Sequence, residues 1–159
     1  MFRPIAFIFA FVLIAGCQSV EPSATSDRGP IQPASAAEAL AIFDGVCGAS
    51  LPDFSSAARL MPAFDVTNRQ STGTVFSTTR DLSLKILDGP GEGRTCSMVF
   101  STIDSAAQTR QVFEQLGPFT DGPSGTGTLY RGRNALVLFR PAGGSGASSY
   151  YNIRLLSER

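Results

Sequence analysis

The spacing of apolar residues switches along this chain between a helical and a strand period, and the first switch restricts the fold more than any other feature. From Ala39 the apolar positions are Ala39, Ile42, Phe43, Val46 and Cys47, a spacing that puts all five on one helical face. Beyond Gly73 the spacing falls to two, with Leu82, Leu84 and Ile86 alternating with Ser83 and Lys85, the pattern of a strand with one buried face. Helices therefore come first and a sheet follows.

Turn and cap residues divide these stretches into elements. Ser35-Ala36-Ala37-Glu38 fits a capping box, in which Ser35 and Glu38 satisfy each other's free amides at a helix start, and Gly48 can end that helix. A second short helix carries Phe54, Ala57, Ala58 and Met61 on one face, with Pro62 near its end. Strands are expected over Thr74 to Thr79, over Leu82 to Ile86, and around Cys96, Met98 and Phe100 after the turn from Asp88 to Gly93. Asp104 can cap a helix with Ala106, Thr109, Val112, Phe113 and Leu116 on its apolar side, and Gly117-Pro118 stops it. Three further strands follow, approximately Thr126 to Arg131, Ala135 to Arg140 and Ser149 to Leu156. The predicted class is α+β: two N-terminal helices, three strands, a helix and three strands, in a mainly antiparallel sheet with helices packed on it.

The amino terminus has a different character. Pro4 to Gly16 is almost wholly apolar and follows Arg3, but it runs to about 13 residues where a membrane-spanning helix needs about 20. A basic start, a short apolar run and small residues at its end describe a secretory signal peptide. Its last residues, Leu13-Ile14-Ala15-Gly16-Cys17, resemble the lipobox of bacterial lipoprotein precursors. The resemblance covers residues 1–17 and implies removal of residues 1–16, acylation of Cys17 and insertion of its acyl chains into a lipid bilayer. Two or more chains, at about 0.8 kcal/mol per buried CH₂, would hold the protein stably. By resemblance to enterobacterial sorting, Gln18 in place of Asp implies the outer rather than the inner membrane, with the protein facing the periplasm.

Residues 17–34 are rich in Ser, Pro, Ala and Gly and read as a tether, leaving residues 35–159 as a single domain. With Cys17 assigned to lipid, Cys47 and Cys96 remain as an even pair in an exported domain, one on an inward helix face and one on an inward strand face. They are expected to form a disulfide. The alternative is a pair of free thiols for catalysis or metal binding, but CxxC spacing is lacking and the chain has no histidine. The domain otherwise has only a general likeness to small uncharacterised exported proteins of proteobacteria, which implies no activity.

Several function classes are disfavoured on composition. Thirteen basic residues balance thirteen acidic ones, and Arg131, Arg133 and Arg140 make only a short basic stretch near a turn, so no nucleic-acid partner is expected. Without histidine, Ser-His-Asp and Cys-His catalysis and histidine-ligated zinc are excluded. Lys85, the only lysine, falls on a solvent-facing strand position; two-carboxylate chemistry stays open, but most of the acids look like caps and turn residues. Gly89, Gly91 and Gly93 are interrupted by Pro90 and lack a following Lys-Ser or Lys-Thr, against a phosphate loop. The expectation is a non-enzyme with no cofactor and no metal.

Three irregular segments remain as candidate sites: Thr67 to Gly73, Gly117 to Gly127 and Pro141 to Ala147. Phe119, Asp121 and Ser124 of the middle segment, with Tyr130, Tyr150 and Tyr151, are the candidate ligand contacts. Two functions fit. One is an accessory lipoprotein that binds a cell-envelope protein; the other is a binding module for a small molecule, lipid or glycan on the same anchor.

Overall fold

The computed structural model describes residues 30–89, 93–122 and 125–157; the leader, the lipobox and Cys17 lie outside the described residues, as does Ser124. Helix α1 (Ala36–Val46) is followed by a 3-10 turn (Gly48–Ser50), a one-turn helix α2 (Ala57–Leu60) and a second 3-10 turn (Met61–Phe64). Four strands come next, β1 (Val66–Arg69), β2 (Val75–Ser77), β3 (Leu82–Gly89) and β4 (Gly93–Thr102). Helix α3 (Ala106–Phe113) then leads through a 3-10 turn (Glu114–Leu116) to β5 (Thr120–Gly122), β6 (Gly125–Leu129), β7 (Ala135–Ser145) and β8 (Ser148–Ser157). The strands form one antiparallel sheet in the order β1-β2-β3-β4-β8-β7-β6-β5.

The α+β class with helices on an antiparallel sheet is the architecture observed. The strand count differs from expectation: four strands, not three, stand on each side of α3, because β1 and β5 were not anticipated. Both are edge strands too short or too exposed to alternate. After Val66 every residue of β1 is exposed and its register slips between Val66 and Asn68, while all of β5 is exposed. The three segments expected to be irregular are consequently hairpins or strand ends. Of these, the third is absorbed by β7, which continues past Pro141 through a register shift before Gly143, a bulge being where a sheet tolerates proline. The second helix is also shorter than expected: Phe54 precedes it in the left-handed region (φ 55°), and Ala58 faces outward.

The order of strands shows two consecutive four-stranded meanders joined at their last strands, with β4 pairing β8 from Thr95↔Leu156 to Thr102↔Ser149. Each meander is introduced by a helix with the same start. Ser35-Ala-Ala-Glu38 forms the expected capping box on α1, and Ser105-Ala-Ala-Gln108 forms a second on α3. Asp104 is therefore not the cap of its own helix. Its Oδ2 instead accepts from the Ala36 amide at 2.7 Å, so it caps α1 and ties the two halves together. Phe43 and Phe113 occupy equivalent places in the two helices and meet edge to face at 6.5 Å.

Both helices cover one face of the sheet. Cys96, Met98 and Phe100 of β4, Val137 and Phe139 of β7, and Tyr151, Ile153 and Leu155 of β8 turn inward to meet Phe43, Val46 and Phe113 in one core. The chain joins this body before Ser35: Gln32 bridges to Arg80, and Ala34 is buried with its amide donating to the Ser101 carbonyl at 2.9 Å. Cys47 and Cys96 are both fully buried with their Cα atoms 5.6 Å apart, and they form the disulfide that joins α1 to the central strand β4.

One ion pair near the start of α1 has a pH signature. Glu38 accepts from Arg80 Nη2 at 2.8 Å and from the Ser35 amide at 2.9 Å. These partners, Arg80 foremost, hold its carboxyl down at about 2. A depressed carboxylate stabilises the fold above its unfolded pKa of about 4.3, and that contribution is lost as pH falls toward 2. In urea unfolding, Glu38→Gln should therefore destabilise the protein at pH 7 and lose less stability than wild type between pH 5 and 2; parallel pH profiles would contradict this. The pair is half exposed, so the effect is a fraction of a kcal/mol to about 1 kcal/mol.

Candidate functional site

The two halves differ most between helix and meander. In the second half only Glu114–Phe119 separate α3 from β5, whereas in the first half Cys47–Asp65 separate α1 from β1. This extra segment is firmly held. Ser50 Oγ donates to the Val46 carbonyl at 2.6 Å, and the Phe54 amide donates to the Ser50 carbonyl at 2.8 Å. Asp53 Oδ1 accepts from the amide and hydroxyl of Ser55, contacts that hold its carboxyl below the usual range. Asp65, left-handed at φ 57°, closes the segment with its carbonyl accepting from the Thr78 amide at 3.0 Å.

Between this segment and strands β1 to β4 lies a cleft of about 300 Å³. Phe54, Met61, Val75 and Ile86 supply its apolar surface, the first three almost wholly buried. Its polar wall carries Asp88 and two arginines. Arg94 donates to Asp88 Oδ1 at 2.7 Å and to the Asp53 carbonyl at 3.1 Å. The guanidinium of Arg69, at the end of β1, has no hydrogen bond or ion pair among the described residues.

A second surface is the sheet face away from the helices. A cross-strand row of Leu87, Thr95, Leu156, Leu136 and Leu129 runs along it, with Leu129 55% and Leu136 38% exposed. Beside it runs a row of Lys85, Ser97, Arg154, Leu138 and Gly127, and Arg140 lies one row further. Lys85, Arg140 and Arg154 make no ion pair among the described residues. The face thus mixes leucines with uncompensated positive charge.

The candidate ligand residues drawn from the sequence do not assemble around either surface. Phe119 and Tyr151 are core residues, each packed on Phe139, with ring centroids 5.7 and 5.1 Å away. Asp121 is exposed on the edge strand β5, where it accepts from Thr126 Oγ1 at 2.8 Å. Tyr150 lies on β8 with its hydroxyl bonded to Asp81, which raises its pKa. Tyr130 is buried and donates to Asp44, whose other oxygen accepts from Arg131 at 2.8 Å. Burial and the Asp44 carboxylate push the Tyr130 phenol up to about 12, so it remains a proton donor at physiological pH. Gly48 is required at this spot because a Cβ there would run into the Tyr130 hydroxyl. This cluster fixes the end of α1 to the turn between β6 and β7. Arg131, Arg133 and Arg140 are likewise dispersed: Arg131 pairs with Asp44, Arg133 stacks 6.0 Å over the Tyr130 ring, and Arg140 belongs to the open sheet face.

Of the three candidate segments, Thr67 to Gly73 contributes Arg69 and Gly73 to the cleft, but the sequence did not single out Arg69 or the segment opposite it. The available signal was the recurrence of Ser-Ala-Ala-Glu as Ser-Ala-Ala-Gln, which would have exposed Gly48–Asp65 as longer than its counterpart in the second half. Among the described residues, no group of three or more Asp, Glu, Cys or His side chains is placed to hold a metal ion, and no helix is long and apolar enough to cross a membrane. Comparison with known proteins finds no matching family model, no similar curated sequence and no similar solved structure.

Proposed function

We propose that this chain is a bacterial lipoprotein held in the envelope through acylated Cys17, facing the periplasm and sorted to the outer membrane, and that its domain works without catalysis as an accessory that binds an envelope protein. The lipobox carries the anchoring part of this reading. The Cys47–Cys96 disulfide supports it, because such bonds persist in oxidising compartments. The open sheet face suits the partner-binding part: leucines interleaved with Lys85, Arg140 and Arg154 complement an acidic, partly apolar protein surface. In-cell crosslinking of the acylated protein beside Cys17→Ala, followed by mass spectrometry, tests the reading. One reproducible envelope partner recovered only with the anchored form is the expected result, and its absence would reject the accessory role.

The cleft favours a second reading, a binding module for a small molecule, lipid or glycan on the same anchor. Its volume stands at the lower end of small-ligand sites, and it sets apolar side chains beside the charged Arg69, Asp88 and Arg94.

A further inference from the structure

We infer that the cleft between the Gly48–Asp65 segment and the sheet binds a single-chain amphiphile with an anionic head, the head on Arg69 and the chain on Phe54, Met61 and Val75. The inference rests on the binding-module reading and gives it a ligand class.

Three observations converge. Phe54, Ala58, Met61, Val75 and Ile86 give the cleft an apolar lining beside its charged residues, against which a hydrocarbon chain would be removed from water. The charge on the wall is unbalanced: Arg94 is matched by Asp88, whereas the guanidinium of Arg69 has no partner among the described residues, leaving one guanidinium fork free for a carboxylate or phosphate. The segment that builds the cleft is much longer than its counterpart in the other half, where Glu114–Phe119 alone lead from α3 to β5. The stretch that carries Phe54 and Met61 packs on the core and supplies one side of the cleft. About 300 Å³ equals roughly ten water molecules of liquid volume, which suits a medium-length chain and excludes a whole diacyl lipid.

Carboxylate and phosphate heads share this chemistry, and the probes separate them. The core cluster and both disulfide cysteines lie within the described residues, so the unacylated chain from residue 17 with Cys17→Ser retains the folding unit. Titration calorimetry below micellar concentrations would use decanoate, decyl phosphate and decanol. At least one anionic probe should bind tenfold or more tightly than decanol, and the tighter of the two identifies the head group. Arg69→Gln should reduce that preference to within about twofold, and Ala58→Trp, an exposed position on the cleft wall, should abolish binding of all three. Arg140→Gln on the opposite sheet face should change nothing. Decanol binding as tightly as both anions, retained anion preference in Arg69→Gln, unaltered binding in Ala58→Trp, or no binding of any probe would each overturn the inference. Because the chain used is unacylated, these outcomes are independent of whether Cys17 carries lipid in the cell.

Discussion

Removing the Cys47–Cys96 bond should cost about 4 kcal/mol, the chain-entropy value for a cross-link with a sequence separation of 49. Domains of this size are stable by about 5–15 kcal/mol, so the loss is a large share of the total. The double variant Cys47→Ala, Cys96→Ala should melt on the order of 10 °C or more below wild type. The wild-type protein unfolded in reductant should lose a similar amount, because the bond itself, rather than the packing of two small buried side chains, carries the effect. A loss under about 1 kcal/mol in both experiments would show that the cysteines act as ordinary core residues.

Phe113→Ala is the second large effect, expected at about 3–5 kcal/mol. Phe113 is fully buried and stacks on Phe100 at 5.7 Å, meets Phe139 at 5.6 Å and touches Phe43 edge to face. These partners come from both halves of the domain, so the cavity left by alanine would lie where the two helices and the two meanders converge and could not close by a local shift. Val112→Ala, one residue earlier and only partly buried, should cost about 1 kcal/mol. Urea unfolding of the two variants measures the contrast; equal losses would mean that the aromatic cluster is not the joint between the halves.

How far the fold was legible follows from burial. Strand β8 and the start of β3 bury alternate residues, and β4 alternates apolar Cys96, Met98 and Phe100 with polar Ser97 and Ser101, so a period of two is visible, while α1 carries both its helical period and its capping box. Edge strands β1 and β5 bury almost nothing and offer no pattern to read. Strand β7 was cut short at Pro141 because a bulge, which sequence does not announce, lets the ladder resume at Gly143. Asp104 was assigned to the helix that follows it, yet it caps α1, a contact between residues 68 apart. The cleft was hidden for a related reason: Arg69 and Phe54 become neighbours only through the packing of the extra segment on the sheet. The aromatic residues expected at a ligand site are large apolar groups near glycines, and the core claimed Phe119, Tyr130 and Tyr151.

The most direct test of the envelope-lipoprotein account is the intact mass of the protein purified from the membrane fraction of its bacterial host. The account predicts a chain that begins at Cys17 and carries a diacylglyceryl group together with an amino-terminal acyl chain, a mass shift absent from Cys17→Ala. A chain that begins elsewhere, or a Cys17 without lipid, would contradict it.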